Sequence, residues 1–182
     1  MTMFRPGSFR VGIVGATGMV GQRFVQLLQE HPWFRVTAVA ASSRSAGKTY
    51  AQAVEGRWAF DAQIPREIAA LPMLDAARVE EVAREVDFIF CAVDMKKEDA
   101  QAMEEAYARA EIPVVSNNSA CRLLPDVPML LPEVNPGHAA VIHAQRKRLS
   151  TRVGLIAVKS NCSIQSYVPA LHPLWDFGPQ RV

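Results

Sequence analysis

The sequence predicts an α/β fold, a doubly wound parallel sheet, from three features of the chain. A short apolar run with Val11, Ile13 and Val14 enters the glycine-rich turn Gly15-Ala16-Thr17-Gly18-Met19-Val20-Gly21, and Val20, Phe24, Leu27 and Leu28 follow at helical spacing. Apolar runs then alternate with stretches of helical period, the pattern of right-handed βαβ units on a parallel sheet. The run Val36-Thr37-Ala38-Val39-Ala40-Ala41 is almost unbroken, as a strand covered on both faces requires. Strand, glycine turn and helix in this order form the phosphate-binding corner of a Rossmann-type dinucleotide fold.

Within that corner each glycine has a separate task. Gly15 permits the sharp turn, Gly18 lets a pyrophosphate approach backbone N–H groups, and Gly21 lets helix pack closely on strand. The helix N-terminus faces the phosphates with unpaired N–H groups and positive partial charge. At the end of the second strand, many NAD-binding folds place a carboxylate for the ribose 2′-hydroxyl. Here the chain reads Ser42-Ser43-Arg44-Ser45-Ala46-Gly47-Lys48, hydroxyls and cations without a carboxylate. Such a set suits a 2′-phosphate, so the expected cofactor is NADP rather than NAD.

Composition bounds the remaining possibilities. A chain of 182 residues, 49% hydrophobic and 21% charged, holds one globular domain, or one domain with part of a second. The net charge of +2 gives no reason to expect nucleic acid or a membrane surface as partner. The segment MTMFRPGSF lacks the apolar region of a signal peptide, and no apolar run is long enough to span a bilayer. Cys91, Cys121 and Cys162 are odd in number and widely spaced, which argues against a disulfide framework or a zinc knuckle and for a reducing cytoplasm, and no metal is expected.

Further along, residues 49–74 contain Gly56, Pro65 and Pro72 and read as an irregular excursion without an assigned fold. Ala76–Glu85 has the spacing of a short helix, Asp87–Val93 of a buried strand, Lys96–Glu111 of an amphipathic helix and Ile112–Ser116 of the next strand. Ala92-Val93-Asp94 fall at a strand's carboxyl end, over the expected crevice. Cys91 lies inside a strand, where a small apolar thiol needs no function. Pro125, Pro128, Pro132 and Pro136 keep the segment after Asn117 extended, and Gly137–Leu149 reads as a helix ending in Arg146, Lys147 and Arg148. Arg122 is a fixed cation at the end of a strand, suited to an anionic substrate group.

Val153–Val158 reads as a strand, followed by Lys159-Ser160-Asn161-Cys162-Ser163 and a helix through Ile164, Val168, Leu171 and Trp175 that Pro169 and Pro173 kink or shorten. Cys162 at this strand-to-helix junction has the position of an activated nucleophile, with the N–H groups of Cys162 and Ser163 as a candidate oxyanion hole. A cysteine nucleophile with a nicotinamide cofactor implies aldehyde oxidation through a thiohemiacetal and an acyl-thioester, or the reverse reduction of an acyl phosphate or acyl-CoA.

The stretches VGIVGATGMVGQ, AASSRSAGK, VSNNSACR, DVPMLLPEVNP and SNCS, in this order, resemble aspartate-β-semialdehyde dehydrogenase, most closely the branch of archaea, fungi and some bacteria. The resemblance implies NADP-dependent reductive dephosphorylation of L-4-aspartyl phosphate to the semialdehyde, on the route to lysine, threonine and methionine. By motif position it implies Cys162 as the acyl-thioester nucleophile, Arg122 as the phosphate ligand and Asn161 as a positioning group for the acyl oxygen or phosphate. It places the pyrophosphate on Thr17, Gly18, Met19 and Val20, with Gly15 in the same cofactor site, and the adenosine 2′-phosphate on Ser42, Arg44 and Ser45. The pattern of Cys162 and Pro169 is also similar to the wider glyceraldehyde-3-phosphate dehydrogenase superfamily.

There are two departures. Ile164 stands where many relatives carry Thr, and the chain has about half the family's length. The other half would carry the histidine base, the arginine for the substrate carboxylate and the subunit interface of a homo-oligomer; His31, His138, His143 and His172 do not match that histidine's motif. The expected organisation is therefore an NADP-binding domain at 1–160 and, at 161–182, the cysteine helix opening a truncated catalytic and dimerisation domain, with a new strand beginning at the chain's end. Such a chain alone should bind NADP weakly and turn over poorly. Alternatives are malonyl-CoA reductase on the same scaffold, a glutamyl-type phosphate reductase, or a non-catalytic NADP-binding module working with a separate partner.

Overall fold

In the computed structural model, residues 9–178 are described. The amino-terminal segment read for a signal peptide falls almost wholly outside them, and the strand expected at the carboxyl end does so entirely. The strands are β1 (Phe9–Val14), β2 (Phe34–Ala41), β3 (Met73–Asp75), β4 (Phe88–Cys91), β5 (Val114–Ser116), β6 (Met129–Leu130) and β7 (Ile156–Lys159). They form one seven-stranded sheet in the order β3-β2-β1-β4-β5-β7-β6, parallel at every pairing. Connections run one way from β1 to β2 and β3 and the other way through β4 onward. The crevice outside the carboxyl ends of β1 and β4 is thus a topological switch point, where open α/β sheets take ligands.

Side-chain alternation divides the core between the two sheet faces. Val11, Ile13, Val25, Val39 and Tyr50 pack together on one side, and Val14, Ala40, Ile89, Cys91, Tyr107, Val114 and Ile156 on the other. The helix α1 (Met19–Leu27) docks through Val25 and through Phe24, whose ring stacks on Phe90 at 4.6 Å. On the opposite face lie α4 (Val79–Ala83) and α5 (Lys97–Arg109), with α6 (Ile142–Leu149) beside α5. Two fully buried tyrosines satisfy their hydroxyls on the backbone: Tyr50 donates to Ala16 O at 3.1 Å and Tyr107 to Ala76 O at 2.8 Å.

Several boundaries differ from the sequence expectation. The excursion at 49–74 contains α2 (Tyr50–Val54), α3 (Arg66–Ala69) and the edge strand β3. The first of these starts at a reciprocal cap, in which Thr49 accepts from Gln52 N while the Gln52 side chain accepts from Thr49 N. β3 and β6 are too short to show alternation, and each lies next to a proline that only a sheet edge tolerates. β7 begins at Ile156, not Val153, because the N–H groups of Arg152, Val153 and Gly154 are held by the Glu111 carboxylate. The helix expected after Cys162 is broken into α7 (Cys162–Gln165), α8 (Val168–Leu171) and a 3₁₀ turn at His172–Phe177, with Pro169 and Pro173 restarting the later two. Gly137–Leu149 likewise divides into a 3₁₀ turn at Pro136–Val141 and α6. Among the described residues no helix is long and apolar enough to cross a membrane.

Candidate functional site

The register of β1 sets the corner. Val14 pairs with Ala40 on one side and Cys91 on the other, so the chain leaves the sheet between two parallel neighbours. The N–H groups of Gly15 and Ala16 both reach Ala40 O, at 2.8 and 3.0 Å. Gly15 has φ +88°, and a Cβ there would lie 2.6 Å from the carbonyl carbon of Ala92. Only glycine combines that conformation with that approach. Gly18 forms the N-cap of α1 without any side-chain cap, and a Cβ on it would meet only Gly15 O, at 3.5 Å. The space above the first turn of α1 is therefore open, with no acidic residue in that turn. This is a cradle for an anion at a helix N-terminus.

A cavity of about 450 Å³ opens from this corner. Its walls are Gly15, Thr17 and Gly18 after β1, Ser42, Ser43 and Arg44 after β2, Asp75, Ala76 and Ala77 after β3, and Ala92 to Met95 after β4. Gly15, Thr17, Gly18, Ser42 and Arg44, named from the sequence, are thus brought together on one cavity. Met19 and Val20 do not line the cavity; both lie exposed on the first turn of α1. Ser45 is also outside it, only 8% exposed, and Ser43 lines the wall instead. The cause is the 3₁₀ turn at Ser43–Ser45, which leaves its first two residues exposed and turns the third inward. Asp75 and Asp94 bring carboxylates that the local reading of residues 42–48 did not include.

The second group of residues sits on the same edge of the sheet, because parallel strands place all their carboxyl ends together. Arg122 follows β5; its Nη2 donates to Asn117 O at 3.2 Å, and its Nε is buried with no hydrogen-bond partner among the described residues. Lys159 ends β7 and donates from Nζ to Ser160 O at 3.0 Å. Burial, and then the nearby Arg122 guanidinium, push the Lys159 ammonium below the ordinary lysine value, while Cys162 acts in the opposite sense. Ser160 Oγ is buried and has no hydrogen-bond partner among the described residues. Cys162 opens α7 and is exposed, whereas Cys91 and Cys121 are buried. Burial, reinforced by the Glu104 carboxylate, raises both buried thiols far above the ordinary cysteine value.

One expectation about the cysteine turn needs correction. Asn161 Oδ1 accepts from Ser163 N at 2.7 Å, so that N–H is already committed and is not free for an oxyanion. The same bond occupies Asn161 in capping α7, which is four residues long and too short to present much of a dipole. Cys162 does not line the 450 Å³ cavity.

One buried group escaped the sequence reading. Glu104 is fully buried, and its Oε1 accepts from Ser116 Oγ at 2.5 Å and Asn118 Nδ2 at 2.7 Å. It pins the loop that carries Arg122. Its place four residues after Ala100 and three before Tyr107, on the apolar face of α5, was the available clue. Among the described residues no cluster of His, Cys, Asp or Glu has the makings of a metal site.

Comparison with known proteins agrees with this geometry. Residues 10–142 match the family described as semialdehyde dehydrogenase, NAD binding domain. The aspartate-semialdehyde dehydrogenase of Archaeoglobus fulgidus is 40% identical over 177 residues, which is 96% of this chain and 48% of that protein. That of Trichophyton rubrum is 40% identical over 178 residues, 97% of this chain and 48% of its own length. Among solved structures, aspartate semialdehyde dehydrogenase with NADP from Candida albicans superposes with a TM-score of 0.80 at 37% identity, over 94% of this chain and 48% of that one. Aspartate semialdehyde dehydrogenase II complexed with ASA from Vibrio cholerae gives 0.67 at 28% identity, over 93% and 47%. The chain spans about half the length of the curated relatives it matches. It belongs to the semialdehyde dehydrogenase family, by way of that family's NAD-binding domain.

Proposed function

We propose that this chain is the cofactor-binding and nucleophile-bearing half of an NADP-dependent aspartate-semialdehyde dehydrogenase, the first 160 residues forming the dinucleotide unit and those from 161 opening a second. The observation that carries the reading is one sheet edge holding both the open cradle at Gly18, faced by Ser42, Ser43 and Arg44, and the exposed Cys162 with Lys159, which lies near both Cys162 and Arg122. The residues fit the cofactor: a methyl at Gly18 would fill the cradle, and Arg44 offers its guanidinium to a 2′-phosphate.

When bound, NADPH supplies the hydride that reduces an acyl-thioester carbon. The chain's own residues prepare that thioester. The Cys162 sulfur attacks the acyl carbon of L-4-aspartyl phosphate; a carbon–sulfur bond forms and the carbon–oxygen bond to phosphate breaks. Arg122 takes the departing inorganic phosphate, its loop held rigid by Glu104 through Ser116 and Asn118. Lys159, close to both Arg122 and Cys162, adds positive charge on the side where the thiolate and the leaving phosphate are negative. Asn161 keeps Cys162 at the start of α7 by capping it. The free thiols suit a reducing cytoplasm.

Intact-mass measurement after mixing the chain with L-4-aspartyl phosphate tests this directly. The expected result is a single acyl adduct that Cys162→Ser abolishes. No adduct overturns the reading; an adduct from malonyl-CoA but not from aspartyl phosphate replaces it with a malonyl-CoA reductase.

A further inference from the structure

The β3 wall of the cavity carries an acceptor that the phosphate chemistry does not use. Asp75 ends β3 beside the Ser42–Arg44 wall and lines the cavity with Ala76 and Ala77. A carboxylate there repels phosphate, so the anionic parts of a dinucleotide belong at Gly18 and Arg44, and an uncharged hydrogen-bond donor belongs at Asp75. We propose that Asp75 recognises the 6-amino group of the adenine ring and so selects a 6-aminopurine over a 6-oxopurine. The inference rests on the NADP reading above and deepens it.

Three features support it. First, the carboxylate is oriented. Asp75 Oδ1 accepts from Ala77 N at 3.0 Å, and among the described residues Oδ2 has no protein hydrogen bond. Second, its loop is rigid. Ala76 N donates to Ala41 O at 2.8 Å, the buried Tyr107 hydroxyl donates to Ala76 O at 2.8 Å, and Arg78 N donates to Asp75 O at 3.0 Å. A group held this way loses little freedom on binding. Third, the cation on its own turn, Arg78, makes its ion pair with Glu81, at 2.7 Å, and acts on Asp75 only as the weakest of its charge interactions, without a hydrogen bond to it. Small apolar walls at Ala41, Ala76 and Ala77 leave room for a flat ring beside it.

The geometry makes a reversal testable. In Asp75→Asn the Ala77 N–H still needs an acceptor, so the amide oxygen takes the Oδ1 place and the amide NH₂ takes the place of Oδ2. An acceptor facing position 6 becomes a donor. Titration of NADPH and of reduced nicotinamide hypoxanthine dinucleotide phosphate, followed by nicotinamide fluorescence, gives the ratio of the two affinities within each variant. Because each ratio is internal to one protein, modest loss of stability does not blur it. The wild-type chain is expected to favour the adenine form by about tenfold. Asp75→Asn should reverse the preference and Asp75→Ala should abolish it. Equal affinities in the wild type, or an unchanged ratio in Asp75→Asn, overturns the proposal while leaving the cofactor reading intact. Failure of the wild type to bind either dinucleotide overturns both.

Discussion

Gly21 packs its α-carbon onto the backbone of Ala16, so closely that a methyl at Gly21 would lie 2.7 Å from Ala16 Cα. That contact seats α1 on the end of β1 and aims its first turn at the crevice. Gly21→Ala should therefore push the helix away, lowering stability by about 1–3 kcal/mol and weakening NADPH binding together. Gly18→Ala should behave differently. Its φ of −76° suits any residue and the protein leaves room for the methyl, but the methyl occupies the cradle. Urea unfolding should show near-native stability for Gly18→Ala while NADPH titration shows lost affinity.

The cysteines differ in the same testable way. Cys162 is exposed, and burial holds Cys91 and Cys121 protonated at any ordinary pH. Iodoacetamide at neutral pH should label Cys162 alone in the native chain and all three thiols after unfolding. Equal native labelling, read by peptide mass, contradicts the assignment of Cys162.

Glu111 links acid sensitivity to the turn before β7. Its carboxylate accepts from Gly154, Val153 and Arg152 N–H, and these bonds bring its pKa from 4.5 down to about 2. The folded value lies below the unfolded one, so the stabilisation is complete above the ordinary value of 4.5 and fades as pH falls toward about 2. Acid unfolding followed by circular dichroism should show Glu111→Gln less stable than wild type at pH 7, with the difference shrinking across that window.

Arg148 joins α6 to α5 and to the loop before β6. Its Nη1 contacts Glu105 Oε1 at 2.8 Å and its Nε contacts Asp126 Oδ2 at 2.5 Å. Arg148→Met leaves two mostly buried carboxylates with less compensation. Because the arginine side chain is 38% exposed, water offsets part of the loss, and a cost of about 1–3 kcal/mol in denaturant unfolding is expected.

Much of this architecture is legible from local pattern. The corner from Val11 to Leu28 announces itself because conformational freedom at Gly15 and close packing at Gly21 are demands only glycine meets. β1, β2 and β4 show as apolar runs because most of their side chains are covered on both sheet faces, and β5 does so although Val115 is exposed. β3 and β6 do not, since two or three residues carry no period and their place is set by partners distant in sequence. The cavity is half legible: Ser42 and Arg44 are visible as chemistry, but which of Ser43 and Ser45 faces out depends on a 3₁₀ turn. Asp75 and Glu104 act through tertiary placement. Asp75 reaches Arg44's wall only because β3 pairs with β2, and Glu104 reaches Ser116 only because α5 crosses β5. The Ser163 part of the oxyanion expectation is changed by a local bond, the Asn161 cap on Ser163 N.

The central claim is that the glycine corner and the Ser42–Arg44 wall together hold a 2′-phosphorylated dinucleotide. Calorimetric titration of the 182-residue chain with NADPH and NADH, repeated with Arg44→Ala, tests it most directly. The account predicts NADPH tighter than NADH by about tenfold or more, and loss of that margin in Arg44→Ala with NADH binding unchanged. Equal binding of the two dinucleotides by the wild type, or an undiminished NADPH preference in Arg44→Ala, contradicts it.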